Sequence, residues 1–165
     1  MKRLWSPWRM RYVSGIEDFR KEGCIFCDKP KEGDDATAYI VHRGESCFAM
    51  LNAFPYNTGH LMIAPYRHVG NLEELTPEEY CEMMTTAVLA TRAIKEEMHS
   101  QGMNLGINLG KAAGAGIADH LHMHLVPRWD GDTNFMPVVA DTKVMPETLD
   151  QTYARIEAAI RKALA

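Results

Sequence analysis

The chain has 165 residues, 46% of them apolar and 24% charged, with a formal net charge of −4 at neutral pH. That length fits one domain with a real core, and the balance is that of an ordinary globular protein. Nothing in it resembles the basic footprint of a nucleic-acid binder, and no run of about 18 apolar residues offers a membrane span.

Residues 1–22 read as a cationic arm with Trp5 and Trp8 among Arg3, Arg9, Arg11 and Arg20, irregular or briefly helical, whose plainest role is packing on the body or on a partner subunit. The arm lacks the continuous apolar stretch of a signal peptide. Four cysteines follow, two of them in the C-x-x-C of Cys24 and Cys27. A domain of this size needs no disulfide staples, so a reducing, cytoplasmic setting is expected. Residues 28–36 read as a polar loop. Residues 38–42 and 47–51 read as strands around a turn, 53–59 as a loop, and 60–65 as a third strand.

Thr76-Pro77-Glu78-Glu79 carries an N-cap, a proline at the first helical position and the glutamate of a capping box. A helix follows to about residue 100, with Tyr80, Met83, Met84, Ala87, Val88, Thr91, Ile94 and Met98 as its apolar stripe. Residues 103–108 make a fourth strand, 110–116 a glycine-rich loop and 120–127 a fifth strand. A second helix fits 146–164, with Leu149, Tyr153, Ile156, Ile160 and Leu164 on one face. The sum is an α+β domain on a five-stranded antiparallel sheet, with one long helix and a C-terminal helix.

Four constellations carry chemistry. His120, His122 and His124 alternate with Leu121, Met123 and Leu125, so a strand would show imidazoles on one face and apolar groups on the other. Metal binding, acid–base chemistry and nucleophilic attack all use such a row. The middle residue, His122, is best placed to be held by its neighbours while attacking phosphorus. Directly upstream, GKAAGAG (110–116) is either a flexible turn or, beside three histidines, a cradle whose backbone N–H groups meet phosphate.

The C-x-x-C is a redox pair, half of a zinc site or two separate thiols. No strand precedes it as a thioredoxin-like motif requires. A structural Cys2His2 zinc needs two more ligands, and His68 and His120 are the candidates, with His42 in reserve. Cys47 and Cys81 read as small buried hydrophobes. Finally, NAFPYNTGH (52–60) is rich in turn formers and also offers Asn52 for hydroxyl recognition and Phe54, Pro55 and Tyr56 as apolar surface for a flat ring.

The H-φ-H-φ-H-φ-φ run at 120–126, with the N-x-F-P-x-N-x-G-H segment about sixty residues earlier, resembles the histidine triad (HIT) family. The resemblance runs from about Cys24 to Arg128. The RLWSPWRMRYV and HLHMHLVPRWDGDTNFMPV runs are similar to its bacterial diadenosine tetraphosphate phosphorylase and hydrolase branch. It implies a single HIT domain over 1–165, with an arm (1–22), a core (23–128) and a C-terminal extension with a helix (129–165), paired into a two-fold homodimer. It implies an enzyme acting on the α-phosphate of adenine nucleotides, diadenosine tetraphosphate above all, through a covalent nucleotidyl-histidine. The nucleophile would be His122, with His120 and His124 completing the catalytic triad.

By the same resemblance, Asn52, Phe54, His60, Asn108, Gly114, Ala115, Gly116 and His124 would line the nucleotide. Cys24, Cys27, His68 and His120 would hold a structural Zn2+. No organic cofactor is implied, and Mg2+ would arrive only with the polyphosphate. Where many members carry a glutamine or serine shortly before the triad, this chain has Gly116-Ile117-Ala118-Asp119, so backbone N–H groups would substitute. Water or phosphate as acceptor stays open. The rival readings are a non-catalytic AMP sensor, a phosphoramidate hydrolase, and a zinc or redox protein built on the C-x-x-C.

Overall fold

A computed structural model describes residues 23–132 and 145–165. The cationic arm and the TNFMPV segment therefore lie outside the described residues. In chain order the elements are α1 (Ile25–Asp28), α2 (Asp35–Ala38), β1 (Ile40–Arg43), β2 (Cys47–Leu51), β3 (Leu61–Pro65), α3 (Pro77–Met98), β4 (Gly102–Ile107), β5 (Met123–Arg128) and α4 (Leu149–Leu164). The sheet is antiparallel in the order β1-β2-β3-β5-β4. The α+β architecture expected from the sequence is the one observed. Among the described residues, no helix is long and apolar enough to cross a membrane.

Strand alternation sorts the core into two layers. Ala49, Leu51, Leu61, Ile63, Met123 and Leu125 face α3 and α4, meeting Met83, Ala87, Ala90, Ile94, Ile156 and Ile160. On the other face, Phe48, Met50, Met62 and Ala64 pack with Phe26 and Ile40 in a smaller cluster. His124 pairs with Met62 across β3 and β5, so the triad belongs to this second face. The two helices cover the back.

Several sequence expectations are corrected. Residues 28–36 are not a plain loop: they hold a short 3₁₀ turn and the start of α2, whose N-cap Asp34 accepts from the amides of Ala36 and Thr37. The fifth strand begins at Met123 rather than His120, because Pro65 ends β3 without an N–H and its carbonyl is taken by the His120 ring. Leu121 instead donates its amide to the Val69 carbonyl. The buried stripe of α3 is Glu79, Met83, Thr86, Ala87, Ala90, Ala93 and Ile94. Tyr80, Met84 and Val88 point outward. Cys81 is exposed, while Cys47 is buried as expected.

Candidate active site

The site is built on the loop between β2 and β3 and on the chain entering β5. Asn52 leaves β2 and its side chain accepts the Phe54 amide (2.9 Å), an Asx turn that starts the loop. The loop closes where the Asn52 amide donates to the His60 carbonyl and the His60 amide to the Asn57 carbonyl. Gly59 sits at φ +79°, and a Cβ there would meet Met98 and Pro127 at 3.2 Å. Only glycine tolerates both the left-handed backbone and the close packing.

His60 is fully buried. Its Nδ1 accepts the Tyr56 amide at 3.0 Å, and its Nε2 lies 2.9 Å from His124 Nδ1. A backbone amide can only donate, so His60 Nδ1 carries no proton and His60 Nε2–H is the donor to His124. In the neutral pair His124 must then hold its own proton on Nε2. Tyr56 covers both rings, with centroids 4.6 Å from His60 and 5.7 Å from His124.

His122, 5% exposed, has Nδ1 2.9 Å from the His120 carbonyl, which can only accept. The proton therefore sits on Nδ1, and Nε2 carries the lone pair. Burial pushes the His122 pKa below the usual histidine value, partly offset by that hydrogen bond. Burial thus favours the neutral ring, with its lone pair on Nε2. Phe26 backs it at 4.7 Å.

His120 turns its ring away from this work. Its Nε2–H donates to the Pro65 carbonyl (2.9 Å), leaving Nδ1 facing Cys24 Sγ at 3.2 Å and Cys27 Sγ at 3.6 Å. His68 Nδ1 is 3.3 Å from Cys27 Sγ. The four ligand atoms lie within 4.8 Å of one another. Tetrahedral zinc, with Zn–S about 2.3 Å and Zn–N about 2.0–2.1 Å, needs S···N edges of about 3.5 Å. The cluster fits that donor set, and the Pro65 carbonyl supplies the outer hydrogen bond that orients a ligating imidazole. Cys24 and Cys27 converge because α1 brings positions three apart to one side.

The loop 110–116 offers fewer amides than its glycines promise. A 3₁₀ turn over Lys111–Ala113 closes it, so the amides of Gly114 and Ala115 donate to the carbonyls of Lys111 and Gly110. Among the described residues, those of Gly116 and Ile117 have no protein partner. Ile117 packs against the Phe26 cluster, putting this end of the loop on the histidine face. Asn108 follows the end of β4, one residue past the Ile107–Met123 pair. Phe54 and Tyr56 are large exposed aromatics on the 52–60 loop.

Sequence reasoning missed Phe26, hidden inside the C-x-x-C, and the side chains of Asn57 and Asp132, which bond each other. The composition of the RWDGD turn marks a turn but not its partner.

The HIT domain family model matches residues 34–131 of the chain. The chain belongs to the HIT family. Among its relatives, the AP-4-A phosphorylase of Mycobacterium tuberculosis (strain H37Rv) is 41% identical over 158 residues, covering 92% of this HIT chain and 80% of that protein. The bis(5'-adenosyl)-triphosphatase of Dictyostelium discoideum is 32% identical over 89 residues, 54% of this chain and 59% of the relative. A Zn-bound histidine triad family protein from Mycobacterium smegmatis superposes with a TM-score of 0.68 at 25% identity, covering 85% of this HIT protein and 94% of its own chain.

Proposed function

We propose that this HIT enzyme cleaves dinucleoside polyphosphates, diadenosine tetraphosphate above all, at the α-phosphate through a nucleotidyl-histidine on His122. The observation that carries the reading is the commitment of His122 Nδ1–H to the His120 carbonyl, which leaves Nε2 as the nucleophile. Attack by Nε2 forms an N–P bond as the P–O bond to the leaving polyphosphate breaks. The ring becomes cationic, and the carbonyl holding Nδ1–H stabilises it. A terminal phosphate has a pKa of about 6, so the leaving ATP needs a hydrogen bond rather than a full proton. His124 Nε2–H supplies that bond. The amides of Gly116 and Ile117 face the non-bridging oxygens, since phosphoryl transfer depends mainly on positioning and charge stabilisation. Asn52 takes the ribose hydroxyls, and Phe54 the base.

The second step restores His122. Inorganic phosphate attacks the phosphorus, the N–P bond breaks, and ADP leaves. The likeness to a phosphorylase at 41% identity favours phosphate over water as acceptor. Incubation with diadenosine tetraphosphate tests this directly: ADP and ATP formed only with phosphate are expected. AMP and ATP formed without phosphate would make the acceptor water. Bound AMP with no products would leave a nucleotide sensor.

Cys24, Cys27, His68 and His120 would hold a Zn2+ that supplies a structural tie and no catalysis; Mg2+ would come only with the polyphosphate. Free cysteines throughout suit a cytoplasmic setting. A homodimer would cover the exposed Met84, Val88 and Leu105 beside the edge strand β4.

A further inference from the structure

We propose that Asp132, beyond the histidine motif, is a positioning residue that holds the 52–60 loop so that His60 presents its proton to His124. The inference rests on His124 as the donor to the leaving phosphate. The Asp132 side chain is 9% exposed and, among the described residues, gathers N–H donors from Arg128, Trp129 and Asn57. Arg128 Nε and Nη2 lie at 2.6 and 2.8 Å, the Trp129 amide at 3.2 Å, and Asn57 Nδ2 at 2.9 Å. Asn57 Nδ2 also donates to the Pro127 carbonyl at 3.1 Å.

Asn57 joins the two segments. Its side chain is bound to the end of β5 and the turn after it, and its carbonyl takes the His60 amide. The next hydrogen bond outward from His60 is the 2.9 Å contact to His124. β5 and the turn that follows it therefore carry the acceptor, His124, and also the anchor of the donor's loop, three residues on at Pro127 in the strand and eight on at Asp132 in the turn. One strand and its adjoining turn set both ends of that contact. A bare amide–carbonyl bond to Pro127 leaves the Asn57 side chain free to pivot. The carboxylate, held by the Trp129 amide of its own turn, removes that pivot.

Three variants separate positioning from bulk stability: Asp132→Ala, Asn57→Ala and Arg128→Met. Asn57→Ala removes the anchor without touching the ion pair; Arg128→Met removes the ion pair and keeps the anchor. The imidazole 15N resonances of His124, recorded without nucleotide, report its tautomer, and kcat and KM are measured on diadenosine tetraphosphate with phosphate.

Asp132→Ala and Asn57→Ala are each expected to lower kcat by about tenfold to a hundredfold with KM little changed. Both should lose the single Nε2–H form of His124, and the double variant should be no worse than either alone. Arg128→Met should melt earlier yet keep the wild-type tautomer and kcat. The proposal is overturned if Asp132→Ala keeps the His124 pattern, if Arg128→Met matches it in all readouts, or if the two alanine effects add. A His124 pattern lost in both alanine variants, in an enzyme whose wild type turns over no dinucleotide, would uphold the network and sink the proposed function.

Discussion

In the proposed reaction His122 would attack with one nitrogen because the other is held by a hydrogen bond, and His124 would donate from one nitrogen for the same reason. Each tautomer is forced by a group that can only donate or only accept: the His120 carbonyl in one case and the Tyr56 amide, relayed through His60, in the other. His122→Ala is expected to lower turnover by about a thousandfold or more while AMP still binds, as calorimetric titration would show. Full activity in that variant would remove His122 as the nucleophile. Thiol chemistry separates the cysteines at the same scale. Burial pushes the Cys47 thiol up to about 11, whereas Cys81 is exposed. Alkylation at pH 8 followed by mass spectrometry should label Cys81 first and Cys47 only after unfolding.

The histidine row was legible as a pattern of alternate positions, since a strand's period of two is written in the order of residues. Its tautomers were not, because they depend on the geometry of a carbonyl two positions away and of an imidazole 64 positions away.

The long helix shows what periodicity determines and where it stops. The capping box Thr76–Glu79 starts α3 as expected, and Glu79 then turns inward to meet Arg67. The Arg67 guanidinium beside it holds the Glu79 carboxyl below the usual value. A depressed carboxylate stabilises the fold above its unfolded pKa and loses that contribution as pH falls through the folded one. Arg67→Met should therefore lower the melting temperature at pH 7 by an amount that scanning calorimetry resolves. The gap to wild type should close as pH falls below about 4. A gap that persists in acid would mean the pair contributes by packing alone.

The apolar residues on α3 exceed one buried face. Met83 is buried, but Met84 and Val88 lie outward beside Leu105 of the edge strand. Val88→Asp is expected to convert a dimer to monomer in sedimentation velocity with little change in helicity. A wild-type monomer at tens of micromolar would refute the pairing.

Across the whole molecule, the cysteine–histidine cluster ties three places together: the α1 turn, the exit of β3 and the entry to β5. The bonds that close it span 41 and 96 residues. A ligand bound only by the folded state stabilises it by about 4 kcal/mol at a thousandfold excess over its dissociation constant. Chelation should therefore lower the melting temperature by roughly 10 °C, reversed by stoichiometric zinc. It should also expose Cys24 and Cys27 to alkylation. A melting curve indifferent to chelator and zinc would leave the cluster without a metal.

Residue order alone determined the antiparallel sheet, the long helix with its capping box, the C-terminal helix, the alternating histidines and the family they belong to. Each is a matter of local spacing, and local spacing survives without a partner. The tertiary structure decided which His120 nitrogen faces the cysteines, which amides of the glycine loop are spent on its own turn, and which face of α3 is covered. It also brought Asn57 to Asp132. Apart from the glycine loop's own turn, these depend on hydrogen-bond partners or packing surfaces distant in the chain, and a buried polar group takes whichever partner the fold delivers.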